Sequence, residues 1–247
     1  MNKLVYIFCF LVLLLFDSRG DTSAPGGAST GATYGRSQFL ELVRSAYDLS
    51  GLSPIGSRSS KIDVPRAKAL AEKARNDAER RLVKGTDGNA ALDLYHCHRI
   101  LSECVATIEG GASSKAHQDS ADKYLSIAVA AANHEALLHS ARFVVPADEK
   151  RDLFVKASYA GSVEACTDLH MAANSENDVL EAYRWAFLRF LNSFAAFVPR
   201  DQPPQFLRSW QNYRGIVERS EFADKMEELE REVLAECAAV RFPSTRR

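Results

Sequence analysis

Residues 125–141, LSIAVAAANHEALLHSA, lie without a gap over residues 154–170, FVKASYAGSVEACTDLH, at an offset of 29. Ala128 falls on Ala157, Ala132 on Gly161, Glu135 on Glu164 and Ala136 on Ala165. Each stretch reads as a helix, a tight turn of two or three residues, and a second helix opening near Glu-Ala. NAALDLY at 89–95 fits the later part of the same slot, with Ala90, Asp93, Leu94 and Tyr95 over Ala165, Asp168, Leu169 and His170. Small alanines at fixed positions let two helices approach closely. A helical hairpin buries only one face, so each copy needs neighbours stacked beside it. The repeat predicts an all-α chain of stacked antiparallel helical hairpins, a short and irregular α-solenoid.

The rest of the chain agrees with that reading. From Ser37 onward apolar residues recur at three- and four-residue spacing among Ala, Leu, Glu, Lys and Arg, all strong helix formers. Helices are expected at about 38–50, 64–84, 89–109, 119–132, 134–144, 149–160, 163–173, 178–197, 203–217 and 220–240. The clearest is 89–109, where Ala90, Leu94, Cys97, Leu101, Cys104 and Ile108 form one continuous stripe. No segment alternates with period two between turn signals, so strands are not expected. SGLSPIGSRSS (50–60), KGTDG (84–88) and EGGASS (109–114) read as breaks, and Pro146 and Pro199 as stops. Pro203-Pro204 can open the helix that follows.

With these residues in view the chain resembles the Sel1-like repeats, relatives of the tetratricopeptide repeats. Asp178, Glu181, Ala182 and Trp185 (DVLEAYRW) match the first half of the family pattern. Lys156-Ala157, Gly161, Ala165 and Leu169 (KASYAGSVEACTDL) match its second half, one repeat earlier. Asp122 to Ala141 is a weaker copy without the tryptophan. The resemblance covers about 119–190, with a possible extension back to 64 through NAALDLY. It departs from the family where Leu169 reaches Asp178 through HMAANSEN without the glycine loop, and where His170 follows that leucine. The resemblance implies a right-handed stack of hairpins that binds other proteins, and it implies no chemistry.

The N-terminus carries a separate signal. One lysine precedes an uninterrupted apolar run, Leu4 to Phe16, and small residues Ser18 and Gly20 follow before Asp21. A membrane-spanning helix needs about 20 apolar residues, so this run fits a cleaved export signal over 1–20 better than a retained anchor. Residues 21–36, DTSAPGGASTGATYGR, read as a flexible linker, leaving 37–247 as the helical repeat domain. Within it the clearest repeats span 119–197, and helices over 203–240 are expected to cap the stack. Export to a periplasm-type compartment follows. The net charge is −1, and removal of Lys3, Arg19 and Asp17 with the signal leaves −2. A nearly neutral chain lacks the counterion-release term of nucleic-acid binding, so no nucleic-acid partner is expected.

The mature chain keeps Cys97, Cys104, Cys166 and Cys237. An even number in an exported protein favours disulfides. Cys97 and Cys104 are seven residues apart on one helix, about 10.5 Å along its axis, too far to bond directly. Each would then pair with Cys166 or Cys237, in an order the spacing leaves open. The competing expectation is four buried thiols serving as small core residues. HCH at 96–98 invites a metal reading, but adjacent residues on a helix face different ways, and no second ligand pair stands at zinc spacing. No metal, cofactor or catalytic residue is expected: the chain has no G-x-S-x-G, no H-E-x-x-H and no phosphate-binding glycine loop.

Nine aromatics crowd between Tyr183 and Tyr213. Tyr183, Phe187, Phe190, Phe194 and Phe197 form one stripe, read as the core face of a central helix, with Trp185 off that line. A sharper reading makes Trp185, Arg189, Arg208, Trp210, Tyr213 and Arg214 a surface where a protein partner docks, since aromatics and arginines dominate binding hot spots. The sequence thus points to a non-catalytic protein-binding repeat protein, either an envelope adaptor or an immunity-type protein that masks a toxin. The alternative is an envelope enzyme or small-ligand binder with an aromatic pocket around 183–213.

Overall fold

The computed structural model describes residues 36–50, 62–82, 87–196 and 205–241. The expected export signal, nearly all of the linker and the 50–60 break beyond Ser50 lie outside the described residues, as do Pro199 and Pro203-Pro204. Among the described residues the chain is all helix: α1 (Arg36–Ser50), α2 (Val64–Leu82), α3 (Gly88–Glu109), α4 (Gly111–Ala130), α5 (His134–Phe143), α6 (Ala147–Tyr159), α7 (Val163–Ser175), α8 (Val179–Ala196), α9 (Gln205–Val217) and α10 (Ala223–Arg241). Helices pack in adjacent pairs in chain order, α1 on α2, α2 on α3, α3 on α4, α5 on α6 and α8 on α9. The class is that of stacked helical hairpins, as the repeat predicts. The described residues fall into two compact units, 36–165 and 166–239, divided inside α7 between Ala165 and Cys166.

The repeated phrase has a repeated backbone. After α4, Ala132 N–H bonds Val129 C=O and Asn133 N–H bonds Ala128 C=O. Twenty-nine residues later Gly161 N–H bonds Ser158 C=O and Ser162 N–H bonds Ala157 C=O. After α7, Asn177 N–H bonds Asn174 C=O and Asp178 N–H bonds Ala173 C=O. All three are Schellman turns, with 6→1 and 5→2 bonds around a left-handed residue. That residue is Ala132 (φ 54°), Gly161 (φ 121°) or Asn177 (φ 57°). In each turn the next residue caps the following helix: Asn133 accepts from Glu135 and Ala136 N–H, Ser162 from Ala165 N–H and Asp178 from Glu181 N–H. One helix therefore stops and the next starts with no intervening loop. Ala128, Ala157 and Ala173 are buried at the same point of the three turns, where a larger side chain would hold the helices apart.

In unit 36–165, α3 is covered on two faces. Leu94, Cys97, Ile100, Leu101 and Cys104 pack with Phe39, Val43 and Ala46 of α1 and with the alanine stripe Ala67, Ala71, Ala74 and Ala78 of α2. Ala91, Leu92 and Tyr95 pack with Ala121, Leu125 and Ala128 of α4 and Ala136 of α5. The predicted stripe is buried from Ala90 to Cys104, but Ile108, in the last turn, is half exposed. Gly88 opens α3 where a Cβ would lie 2.9 Å from that of Ala131, so the α4–α5 turn requires glycine there. Asn133 also donates to Asn89 across this contact, at 3.0 Å.

One boundary departs from expectation. α4 begins at Gly111, eight residues before the predicted 119. Its first turns, GASSKAHQ, are exposed or half-buried and carry no apolar stripe, so hydrophobic period gives no signal there. Gly110, at φ 92°, reverses the chain in a single residue.

Candidate functional site

Unit 166–239 holds the six residues predicted to form a docking surface, and it uses most of them internally. Tyr183, Phe187 and Phe190 are buried along α8 as the stripe predicts; the side chains of Phe194 and Phe206, and all of Phe197, lie outside the described residues. Trp185 is buried as well, and its indole N–H donates to Glu181 at 2.9 Å. Trp210 is buried and stacks on Phe190 at 4.8 Å and 6°, with Phe187 at 5.6 Å. The two tryptophans are therefore packing residues, because helix α8 is covered on most of its circumference. Arg189 is buried and donates to Ser209 at 2.8 Å, tying α8 to α9.

Arg214 is half-buried, lies over the Trp210 ring at 5.6 Å and pairs with Glu218 at 3.0 Å and with buried Glu230 at 3.7 Å. Glu230, on α10, also accepts the Tyr183 hydroxyl. Burial, and then that bond, push the Tyr183 pKa up, so the phenol stays protonated. Tyr213 is half-buried and closes a relay. Its hydroxyl donates to Asn174, whose amide meets His170 Nε2 at 3.1 Å, while His170 Nδ1 faces the Ala182 carbonyl at 2.9 Å. A carbonyl only accepts, so Nδ1 carries the proton and Nε2 is the acceptor.

What remains open to solvent on α9 is Arg208, Gln211, Asn212 and Ile216, with Glu218 and Arg219 exposed in the turn that follows it. These positions recur at helical spacing and form one outward face. Of the six predicted residues only Arg208 is fully exposed on it, with Tyr213 and Arg214 half-buried.

The four cysteines are buried thiols. Cys97 and Cys104 share one core cluster in unit 36–165, where burial raises the pKa of each. Cys166 and Cys237 belong to unit 166–239, and Cys166 accepts from the Asn192 amide at 3.3 Å.

Unit 36–165 brings together side chains that the sequence leaves scattered. The Tyr47 hydroxyl meets His96 Nδ1 at 3.0 Å, and the Tyr95 hydroxyl meets His139 Nε2 at 2.6 Å. His98 Nδ1 faces His117 Nδ1 at 3.1 Å, and the His98 ring stacks on Tyr124 at 5.4 Å. Burial lowers the pKa of His96 and His98 to about 4 and also depresses those of His117 and His139. The two histidines of HCH thus find their partners on other helices. His96 and His98 reach across to α1 and α4, and only the register of those hairpins could have revealed it. Among the described residues no group of three or more His, Cys, Asp or Glu side chains is arranged to hold a metal ion.

No helix among the described residues is long and apolar enough to cross a membrane. The fold defines the class, an all-α protein of paired helical hairpins. No protein-family model, no curated protein and no solved structure matches the chain.

Proposed function

We propose that this chain is an exported, non-catalytic helical-repeat protein of Sel1-like type that binds another protein through α9. The observation that carries the reading is the outward face Arg208, Gln211, Asn212 and Ile216 of α9, with Arg219 in the turn after it and half-buried Tyr213 beside it. It combines arginines with an exposed apolar residue, 47 % accessible at Ile216, on a helix held rigidly by the Trp210–Phe190 stack. Arginine and tyrosine on a preformed surface are favoured in protein interfaces, because little freedom is lost when they dock. The partner fits either an envelope adaptor or an immunity role in the periplasm.

The small-ligand alternative draws less support. The aromatics of 183–213 pack against one another, and a groove of about 210 Å³ on this unit is lined by Leu180, Lys225, Glu228, Leu229 and Glu232 rather than by them. Native envelope extract should yield a stoichiometric partner on the tagged mature protein, and Arg208→Glu with Arg219→Glu should release it. A partner retained by the double variant would remove α9 from the reading.

A further inference from the structure

We propose that His98 and His117 form a two-imidazole chelate for a divalent transition-metal ion of the imidazole-preferring class, copper, nickel or zinc. The two residues come from the antiparallel hairpin α3–α4, which turns at Gly110. Their register is marked by a neighbouring bond: the hydroxyl of Ser102, one turn further along α3, donates to the carbonyl of Ser114, about one turn back along α4, at 3.3 Å. The Nδ1 atoms stand 3.1 Å apart. Metal–nitrogen bonds of about 2.0–2.1 Å would span that separation. They would subtend an angle of roughly 95–102° at the ion, between the square-planar and tetrahedral values.

The rings are held in place before any ion arrives. His98 is buried, 7 % accessible, and stacks on Tyr124 at 21° between planes. His117 is half-buried, so one side of the pair opens to solvent and water can complete the coordination. Without an ion, the two facing nitrogens must share a single proton, since two N–H groups would oppose each other. A metal takes the place of that proton and gives both lone pairs an acceptor.

The charges facing the pair come from α2 and the end of α3. Arg75 acts on both rings, and Lys68, Glu72 and Glu109 act on His117. The two cations are themselves paired, Arg75 with Glu79 at 3.5 Å and Lys68 with Glu109 at 3.2 Å. Their repulsion of an incoming ion is reduced accordingly. Among the described residues no third protein ligand converges, so affinity is expected in the micromolar range, with copper tightest by the general order of divalent affinities.

The test is titration of the untagged chain with nickel and copper chloride, read by calorimetry and thermal unfolding, with copper paramagnetic resonance to count nitrogens. One equivalent bound, a rise in Tm with ion concentration, and a two-nitrogen signal are expected. His117→Ala, at a half-exposed position that should fold normally, should weaken binding at least tenfold, and His98→Gln should do the same. His134→Ala, which touches neither ring, should leave it unchanged. Absence of binding to the parent chain would overturn the proposal. So would binding that survives His117→Ala in protein shown by circular dichroism to be folded.

Discussion

The two units solve the same packing problem with opposite materials. In 36–165, helices approach through alanine: Ala67, Ala71, Ala74 and Ala78 on α2, and Ala121, Ala128 and Ala136 on α4 and α5, are all fully buried. In 166–239 the interior is aromatic, with Tyr183, Trp185, Phe187, Phe190 and Trp210. Alanine contacts contribute little area each but bring backbones close. Aromatic contacts bury ~150–250 Å² apiece and tolerate wider spacing. The polar groups do not divide the same way. Unit 36–165 pairs Tyr47 and Tyr95 with histidines, but both units bury an arginine–carboxylate set, Arg81 with Asp77 and Asp93 in one and Arg214 with Glu230 in the other. By its apolar packing, then, one unit should be sensitive to added volume and the other to removed volume.

The largest effect should come from removing volume. Trp210→Ala deletes a ring stacked on Phe190 and covered by Arg214. A loss of about 3–5 kcal/mol is expected, the usual cost of truncating a buried aromatic. Chemical denaturation gives the number, and hydrogen exchange should quicken across 166–239. A well-folded variant that loses only partner binding would return Trp210 to the surface role inferred from sequence. The converse substitution, Ala71→Leu, adds volume to the alanine seam between α1, α2 and α3. About 1–3 kcal/mol should be lost there, because overpacking forces rotamers and backbone apart. A neutral or stabilising result would show that the seam contains unused space and would blunt the contrast between the units.

The helices and the fold class were legible in the sequence because both rest on local signals, the 3.6-residue period and the residues that end it. Ala132 and Gly161 could be aligned from sequence, and the structure gives them one turn geometry and one pair of hydrogen bonds. The beginning of α4 was not legible, because GASSKAHQ is polar and its helicity depends on intrinsic propensity and on Gly110. The candidate sites were the least legible. Whether Trp185 or Trp210 faces outward depends on which helices cover α8, and His98 finds His117 only once the chain has turned at Gly110. Those facts belong to tertiary register, which residue spacing along one helix does not contain.

The repeated turns offer a smaller contrast at matched positions. Asn133→Ala removes acceptance from two backbone N–H groups and the bond to Asn89. Asp178→Ala removes acceptance from one N–H, that of Glu181. Capping losses run at about 0.5–2 kcal/mol, so Asn133 should fall near the upper end and Asp178 near the middle. Equal losses would mean that the carboxylate of Asp178 compensates through its charge at the helix N-terminus. Urea midpoints of the two variants decide this.

Acid supplies the finest comparison. Burial depresses the pKa of His139 in 36–165 and of His170 in 166–239. The unfolded chain takes up these protons near pH 6.5, and the folded chain resists them. Stability present above about pH 6.5 is therefore lost as the pH falls below it, toward each folded pKa. The two should not contribute equally. The Nδ1–H of His170 donates to the Ala182 carbonyl, a bond that survives protonation and opposes the effect of burial. For His139 the charge of Arg99 adds to burial with nothing opposing it. For His170 the charge of Arg189 is smaller than the opposing effect of that bond. His139→Gln should therefore flatten the acid loss more than His170→Gln, measured as the slope of unfolding free energy between pH 7 and 5. The opposite ranking would mean that protonated His170 cannot keep its place beside Asn174. The His170–Asn174–Tyr213 relay would then be the more acid-sensitive element of the molecule.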